Sequence, residues 1–434
     1  MRVRWFPKLA TSLMSTLLVL GVVELAFRLL WMRRLTVQAG IEHPHFHHRY
    51  KPYETYHFAT HEFDVTIRTN RYGLRGPDPV IPKPAGVIRV LMLGDSFTFG
   101  FPVHDEETFC ALIERELQSR GYPVEVINGG VSGYAPTLEY ISLRDEFLSF
   151  DPDVVILWYD FGDLQEDSWF QKNLVYDETG RILRADPRYT NGRFDVWEWV
   201  KNHSALAKYL DTKVLRTAYK IRVLGLVGYV KAKWRGERAK VAMARLKASQ
   251  RAEDLAASDR FLLIRETSTK ELLEPYWALD VKYLRMIRDL LAERHIPLLL
   301  GVYPYGMLVG PNQWAEGRTF WGFEQGRTYA ADAALALFEE FSTSEHIPLI
   351  NTLKSFRKAA ASEKLFFDQD GHMTPAGHRV LATHLVDDPA FQAILQQRVA
   401  HQAAQALGDT PRESASRMPQ PPVAVVDGPR PVSR

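Results

Sequence analysis

Two short stretches of the chain carry residues able to do nucleophilic chemistry. Ser96 lies in Gly94-Asp95-Ser96, directly after the apolar run Val87–Leu93. Much later, Asp370-Gly371-His372 sits inside Phe366–His378. A serine hydroxyl attacks a carbonyl only when a base takes its proton, and an imidazole held by a carboxylate is that base near neutral pH. An early serine combined with a late Asp-x-His pair therefore points to acyl transfer, with Ser96 as nucleophile, His372 as base and Asp370 as its orienting carboxylate. Gly-Asp-Ser alone carries little weight, because average composition supplies it in roughly one chain in ten of this length. Asp368 and His378 are rivals in the late stretch; His378 falls in a helical register that suits local packing, and Asp368 suits an outer carboxylate.

The elements that must position these residues follow an α/β rhythm. Val87–Leu93 has the unbroken apolar character of a strand buried on both faces of a parallel sheet. Just past the carboxyl end of such a strand is where open α/β sheets bind ligands. A helix over 107–119 leads to a strand at 124–127, which ends in Asn128-Gly-Gly-Val-Ser-Gly133. A helix over 138–147 leads to a third strand at 154–158, which ends in Tyr159-Asp160-Phe161-Gly162-Asp163. Strands at 297–303 and 347–351 alternate with helices at 283–292, 330–341 and 376–385. The expected fold class is α/β, a doubly wound, mainly five-stranded parallel sheet.

Residues 164–275 interrupt that rhythm and form a helical insertion. Within them, 201–240 holds eleven Lys/Arg against Asp211 and Glu237, with apolar residues at helical spacing. A helical cap over the crevice with a solvated charged face is the first reading; a basic face against anionic lipid headgroups is the second. Trp314, Trp321 and Phe323 fall in the loop after the fourth strand, as cleft wall or as loop anchors.

The net charge of +2, from 54 basic and 52 acidic residues, leaves no electrostatic footprint for nucleic acid. Cys110 is the sole cysteine, so no internal disulfide forms, and its place in an amphipathic helix pattern suits a buried thiol. Leu9 to Leu30 is long enough to span a bilayer, and no small-residue cleavage site follows it. Residues 1–35 are therefore expected to be a retained transmembrane anchor, with Glu24 and Arg28 paired near one interface. Residues 36–86 read as a membrane-proximal segment whose histidines (His43, His45, His47, His48, His57, His61) are solvated and lack metal-site spacing. Thr69–Gly76 reads as an exposed turn, and 401–434, rich in Pro, Ser and Ala, as a disordered tail.

Together, Gly94-Asp95-Ser96, Asn128–Gly133, Trp158–Asp163 and Asp370–His372 resemble the SGNH hydrolases, also called GDSL-type esterases and lipases, in their membrane-anchored bacterial form. The matching stretches fall in that family's order across residues 87–400. Glu24–Arg28 and Asn70–Gly76 extend the similarity. The resemblance implies a flavodoxin-like sheet and a serine esterase working through a covalent acyl-enzyme on Ser96. It implies an O-acylated substrate, with an envelope or secreted glycan as one candidate and transfer to a sugar hydroxyl as a variant of the reaction. It also implies a catalytic domain on the periplasmic side of the inner membrane, and no metal or organic cofactor. The Ser96 and Gly133 backbone N–H groups would stabilise the oxyanion. The family's third donor is an asparagine side chain, and here that position is Gly162. Its substitute is open among the Gly162 N–H, Tyr159 and a residue of the insertion. The competing reading is a catalytically silent module of the same fold that binds glycan or an envelope assembly partner.

Overall fold

The computed structural model describes residues 5–27, 41–210, 214 and 254–408. Five strands form its central sheet: β1 (Ile88–Leu93), β2 (Val124–Asn128), β3 (Val154–Tyr159), β4 (Leu298–Val302) and β5 (Leu349–Asn351). All neighbours run parallel, in the order β5-β4-β3-β1-β2. Every residue of β1 and β3 is buried, as helices on both faces require. The strand order reverses between β1 and β3, and loops leaving those strands at their carboxyl ends open a crevice. Arg89 is fully buried in β1 without an unpaired charge. Its guanidinium donates to Glu125 Oε2 (2.6 Å), to the Val80 carbonyl (2.9 Å) and to the Phe150 carbonyl.

Nine helices are named: α1 (Trp5–Phe27), α2 (Ser96–Phe99), α3 (Phe109–Ser119), α4 (Pro136–Asp145), α5 (Asp163–Phe170), α6 (Lys270–Ala292), α7 (Asp332–Glu345), α8 (Pro375–Val386) and α9 (Pro389–Gly408). Thr108 caps α3 by accepting from the Ala111 N–H, and α3 buries Phe109, Cys110, Ile113 and Leu117. Late in the chain, α8 packs against α3. His378 of α8 accepts the Phe109 N–H at Nδ1 (3.2 Å) and stacks on the Phe109 ring. It is a core residue, and burial pushes its pKa down to about 3. This contact ties the late histidine loop to the segment following Ser96. The helix expected to begin at Tyr283 begins at Lys270, where Thr269 caps it. Pro275 lies inside its early turns, and a proline there reads in sequence as a helix end.

Several expectations are corrected. Residues 41–86 are part of the packed body, as two hairpins (Ile41–His43 with His47–Arg49, Thr55–Ala59 with Asp64–Arg68) and a buried turn. Thr69, Asn70, Leu74 and Arg75 of that turn are buried rather than exposed. Arg75 lies under the end of α2 and donates to the carbonyls of Phe99 (3.1 Å), Gly100 (2.6 Å) and Val103, with Asp105 as its counter-ion at 2.7 Å. A cation at that position matches the partial negative charge of a helix C-terminus. His47 and His48 are also largely enclosed rather than solvated. Burial lowers the His48 pKa and takes His47 to about 3.

Among the described residues no helix is long and apolar enough to cross a membrane. The expected span over Leu9–Leu30 runs beyond the described side chains of α1, and Arg28 lies outside the described residues. Glu24 accepts from Ser204 Oγ (2.8 Å) and the Leu206 N–H (3.1 Å) in the insertion. The insertion contains two small hairpins and the short helices Val196–His203 and Ala205–Tyr209; most of the basic stretch 201–240 lies outside the described residues. Residues 401–408 continue α9 rather than beginning a disordered tail, and 409–434 are outside the described residues.

Candidate active site

At the end of β1, Asp95 caps α2 by accepting the Phe97 N–H at 2.8 Å, which turns Ser96 up at the helix start. Ser96 Oγ lies 2.8 Å from His372 Nε2, across 276 positions of sequence. His372 Nδ1 lies 2.5 Å from Asp370 Oδ1. These partners assign the proton on Nδ1 to the carboxylate and leave Nε2 to accept from the serine. The imidazole rests on Phe97 (4.8 Å between centroids) and meets Phe101 edge-on at 5.3 Å. Burial raises the Asp370 pKa, but the charge and hydrogen bonds of His372 outweigh it, leaving the carboxyl below its ordinary value. Asp370 stays ionised and can hold an imidazolium.

The loop carrying this pair is clamped from two sides. Glu62, in the turn of the second hairpin, accepts the Gln369 N–H at Oε1 (2.9 Å) and the Asp370 N–H at Oε2 (3.0 Å). Trp314 donates its indole N–H to the Gln369 carbonyl (3.2 Å) and lies against Gly371. Gly371 has φ +91°, and a Cβ there would come within 2.6 Å of that indole, so glycine is required on both counts. Trp314 is therefore a loop anchor; Trp321 and Phe323 pack with it around Phe261. Asp368 serves the same loop, accepting the Ala315 N–H (3.1 Å) and pairing with Lys364.

The turn after β2 brings Gly133 to the crevice. Its neighbour Ser132 is held by His48 Nε2 on the carbonyl (2.7 Å) and by the Tyr50 hydroxyl on Oγ (2.5 Å). Neither the Ser96 nor the Gly133 N–H is taken by an acceptor among the described residues, as an oxyanion site needs. At the end of β3 the outcome differs. The Gly162 N–H is given to Asp160 Oδ1 at 2.5 Å, so Gly162 does not offer it to a ligand. The Tyr159 hydroxyl is fully buried and donates to Asp280, so it is not offered to a ligand. Asp163 Oδ2 accepts the Asp160 N–H (2.9 Å), with burial and then the nearby Asp160 charge keeping its pKa well above the ordinary range.

Sequence reasoning missed two features. One is a set of buried carboxylates beneath the crevice: Asp95, Glu139, Asp160, Asp163, Glu166, Asp167 and Asp280. Burial first, then the Asp160 charge, raises the pKa of Asp95, and Asp95 shares a hydrogen bond with Asp160. The other is Arg260 of the insertion. It donates Nη1 to Glu166 Oε1 (2.9 Å) and brings Nη2 to within 3.5 Å of Asp160 Oδ2. A Cβ at Gly162 would lie 2.8 Å from the Arg260 guanidinium. Among the described residues no three His, Cys, Asp or Glu side chains are arranged to hold a metal ion.

No family model matches the chain, and no curated protein matches it. Solved structures similar to it include the acetyl xylan esterase AlAXEase, at 14% identity and TM-score 0.33, over 68% of this chain and 97% of that one. A catalytic mutant of Axe2, an acetylxylan esterase from Geobacillus stearothermophilus, matches at 13% identity and TM-score 0.32, over 69% and 92%. TesA matches at 12% identity and TM-score 0.30, over 68% and 95%. Likeness at this level carries no weight for the fold or activity of this chain, which rest on the strands and distances above.

Removing the Glu62 clamp should loosen the base without touching it. Glu62→Ala is expected to slow the labelling of Ser96 by a fluorophosphonate about tenfold, ~1.4 kcal/mol; an unchanged labelling rate contradicts the clamp. The buried groups also set a pH dependence of stability. Glu166 and Asp167 are held up to about 7 by burial, and Asp95, Glu139, Asp163 and Asp280 are raised too. The folded chain therefore keeps protons that the unfolded chain releases above its ordinary carboxyl range, so these acids lose stability as pH rises through their folded pKa values. His43 at about 4, with His47 and His378 at about 3, act oppositely, but only below the ordinary histidine value of 6.5. Above pH 6.5 that opposing effect fades as the unfolded histidines lose their remaining protons, and the raised acids dominate. The melting temperature should fall from pH 6.5 to 8.5, and Glu166→Gln should flatten the fall; a rise over that interval contradicts it.

Proposed function

We propose that this chain is a serine esterase acting through an acyl-enzyme on Ser96. The observation that carries the reading is the continuous hydrogen-bonded path from Ser96 Oγ through the His372 ring to Asp370. In the first step Ser96 Oγ bonds to the ester carbonyl carbon and its proton passes to His372 Nε2. The carbonyl π pair moves onto oxygen, facing the Ser96 and Gly133 N–H groups. Collapse of that oxyanion breaks the C–O bond to the leaving alcohol, which takes the proton from His372. Water then repeats the attack on the acyl-serine and releases the acid. A sugar hydroxyl in place of water makes the same site an O-acyltransferase. The substrate class we assign is an O-acylated, chiefly O-acetylated, glycan of the envelope or of secreted material.

We also propose that the chain works at a membrane surface on the extracytoplasmic side. The exposed apolar side chains of α1, among them Leu13, Leu17, Leu18 and Val22, support attachment there.

A fluorophosphonate probe should label Ser96, and the full chain should cleave 4-nitrophenyl acetate. Ser96→Ala should abolish labelling and lower turnover by about 10⁴-fold or more. Absence of labelling, or equal turnover by the variant, decides for a silent binding module. For placement, the full chain should float with phospholipid vesicles and a chain lacking residues 1–40 should not. Equal behaviour of the two removes the role of α1.

A further inference from the structure

We infer that Arg260 supplies the third oxyanion donor of this site, from the insertion rather than from the strand-end turn. The inference rests on the esterase reading above and goes beyond it. A tetrahedral oxyanion needs donors already in place where its charge develops, in a setting that excludes water. Two backbone donors come from Ser96 and Gly133. The Gly162 N–H and the Tyr159 hydroxyl are both engaged elsewhere.

Arg260 stands against the Gly162 turn at the end of β3. Its guanidinium carbon, Nε and Nη2 would each lie 2.8 Å from a Cβ at Gly162, so it fills the volume into which a side chain at 162 would project. On its other flank, Nη1 bonds to Glu166 Oε1, and a Cβ on Gly133 would lie 4.0 Å from that same oxygen. Glu166 therefore links the guanidinium at the Gly162 turn to the neighbourhood of the Gly133 turn. Asp160, Glu166 and the Tyr305 hydroxyl orient it without exhausting it, because a guanidinium has five N–H donors. Its side chain is 23% exposed, so part of it is open to solvent.

The loop that delivers it is rigid. Phe261, the next residue, is buried against Tyr305 and Trp321, at 5.0 and 5.2 Å. Asp259 closes the turn by pairing with Arg265 at 2.8 Å and accepting the Phe261 N–H. A fixed, charged donor also accounts for glycine at 162, since a larger residue would push the guanidinium out of place.

The test uses the full chain and 4-nitrophenyl acetate, with thermal melting of every variant. Arg260→Ala should lower kcat about 100- to 1,000-fold, with KM within a few-fold of the parent. Gly162→Asn alone should also lower kcat, because its side chain collides with Arg260. The double variant Gly162→Asn/Arg260→Ala should recover at least tenfold over Arg260→Ala, because the emptied volume admits a side-chain amide. Arg260→Ala with kcat within twofold of the parent, while Ser96→Ala is inactive, overturns the inference and leaves the esterase reading standing. Loss in Arg260→Ala that the double variant does not relieve, together with a lowered melting temperature, assigns Arg260 a structural role and overturns it as well. If Ser96→Ala retains parental turnover, the esterase reading itself fails, and this inference with it.

Discussion

The crevice depends on holding one hydroxyl 2.8 Å from an imidazole that is 276 residues away in the chain. A displacement of about 1 Å between reacting groups is enough to cost two orders of magnitude in rate, so the two loops must be fixed independently and then locked together. The first is fixed by Asp95 at the start of α2 and by Arg75 beneath its end. The second is fixed by Glu62 and Trp314. The lock is the packing of α8 on α3, with the buried His378 joining the two helices.

Such a site is surrounded by acid. Seven carboxylates lie buried around the carboxyl ends of β1 and β3, and the ion pairs they make among the described residues are with Arg260. Taking a lone carboxylate out of water is costly, so burial raises the pKa of most of this set. Asp370 is the contrast: its partner is His372, and it stays ionised. One crevice thus holds one carboxyl below its ordinary pKa beside the imidazole and several above theirs in its floor.

Much of this was legible in the sequence, for a physical reason. Ser96, Asp370 and His372 each sit in a turn after an apolar run or before a helix, and such turns can be read from local pattern. The sheet was legible on the same grounds, because strands buried on both faces leave unbroken apolar runs at Val87–Leu93 and Val154–Trp158. Arg260, Glu62 and His48 were not, because each acts through tertiary proximity and carries no local periodicity. Gly162 was the one hint of Arg260: an absent side chain in an otherwise complete arrangement implies that something else fills the space. The polar, His-rich stretch before Val87 misled because composition reports what a segment is made of, and burial depends on what it meets. Pro275 misled in the opposite sense, since tertiary packing kept α6 helical through it.

The two hairpins and the buried turn of residues 41–86 contribute no reacting atom, yet they reach both halves of the crevice. Through His48 and Tyr50 they hold the Gly133 turn, and through Glu62 they hold the histidine loop. It follows that the smallest independently working unit begins near Ile41 and not at the first strand of the sheet. A graft of the α/β core onto a foreign leader would carry all three reacting side chains and still lack the frame that aligns them.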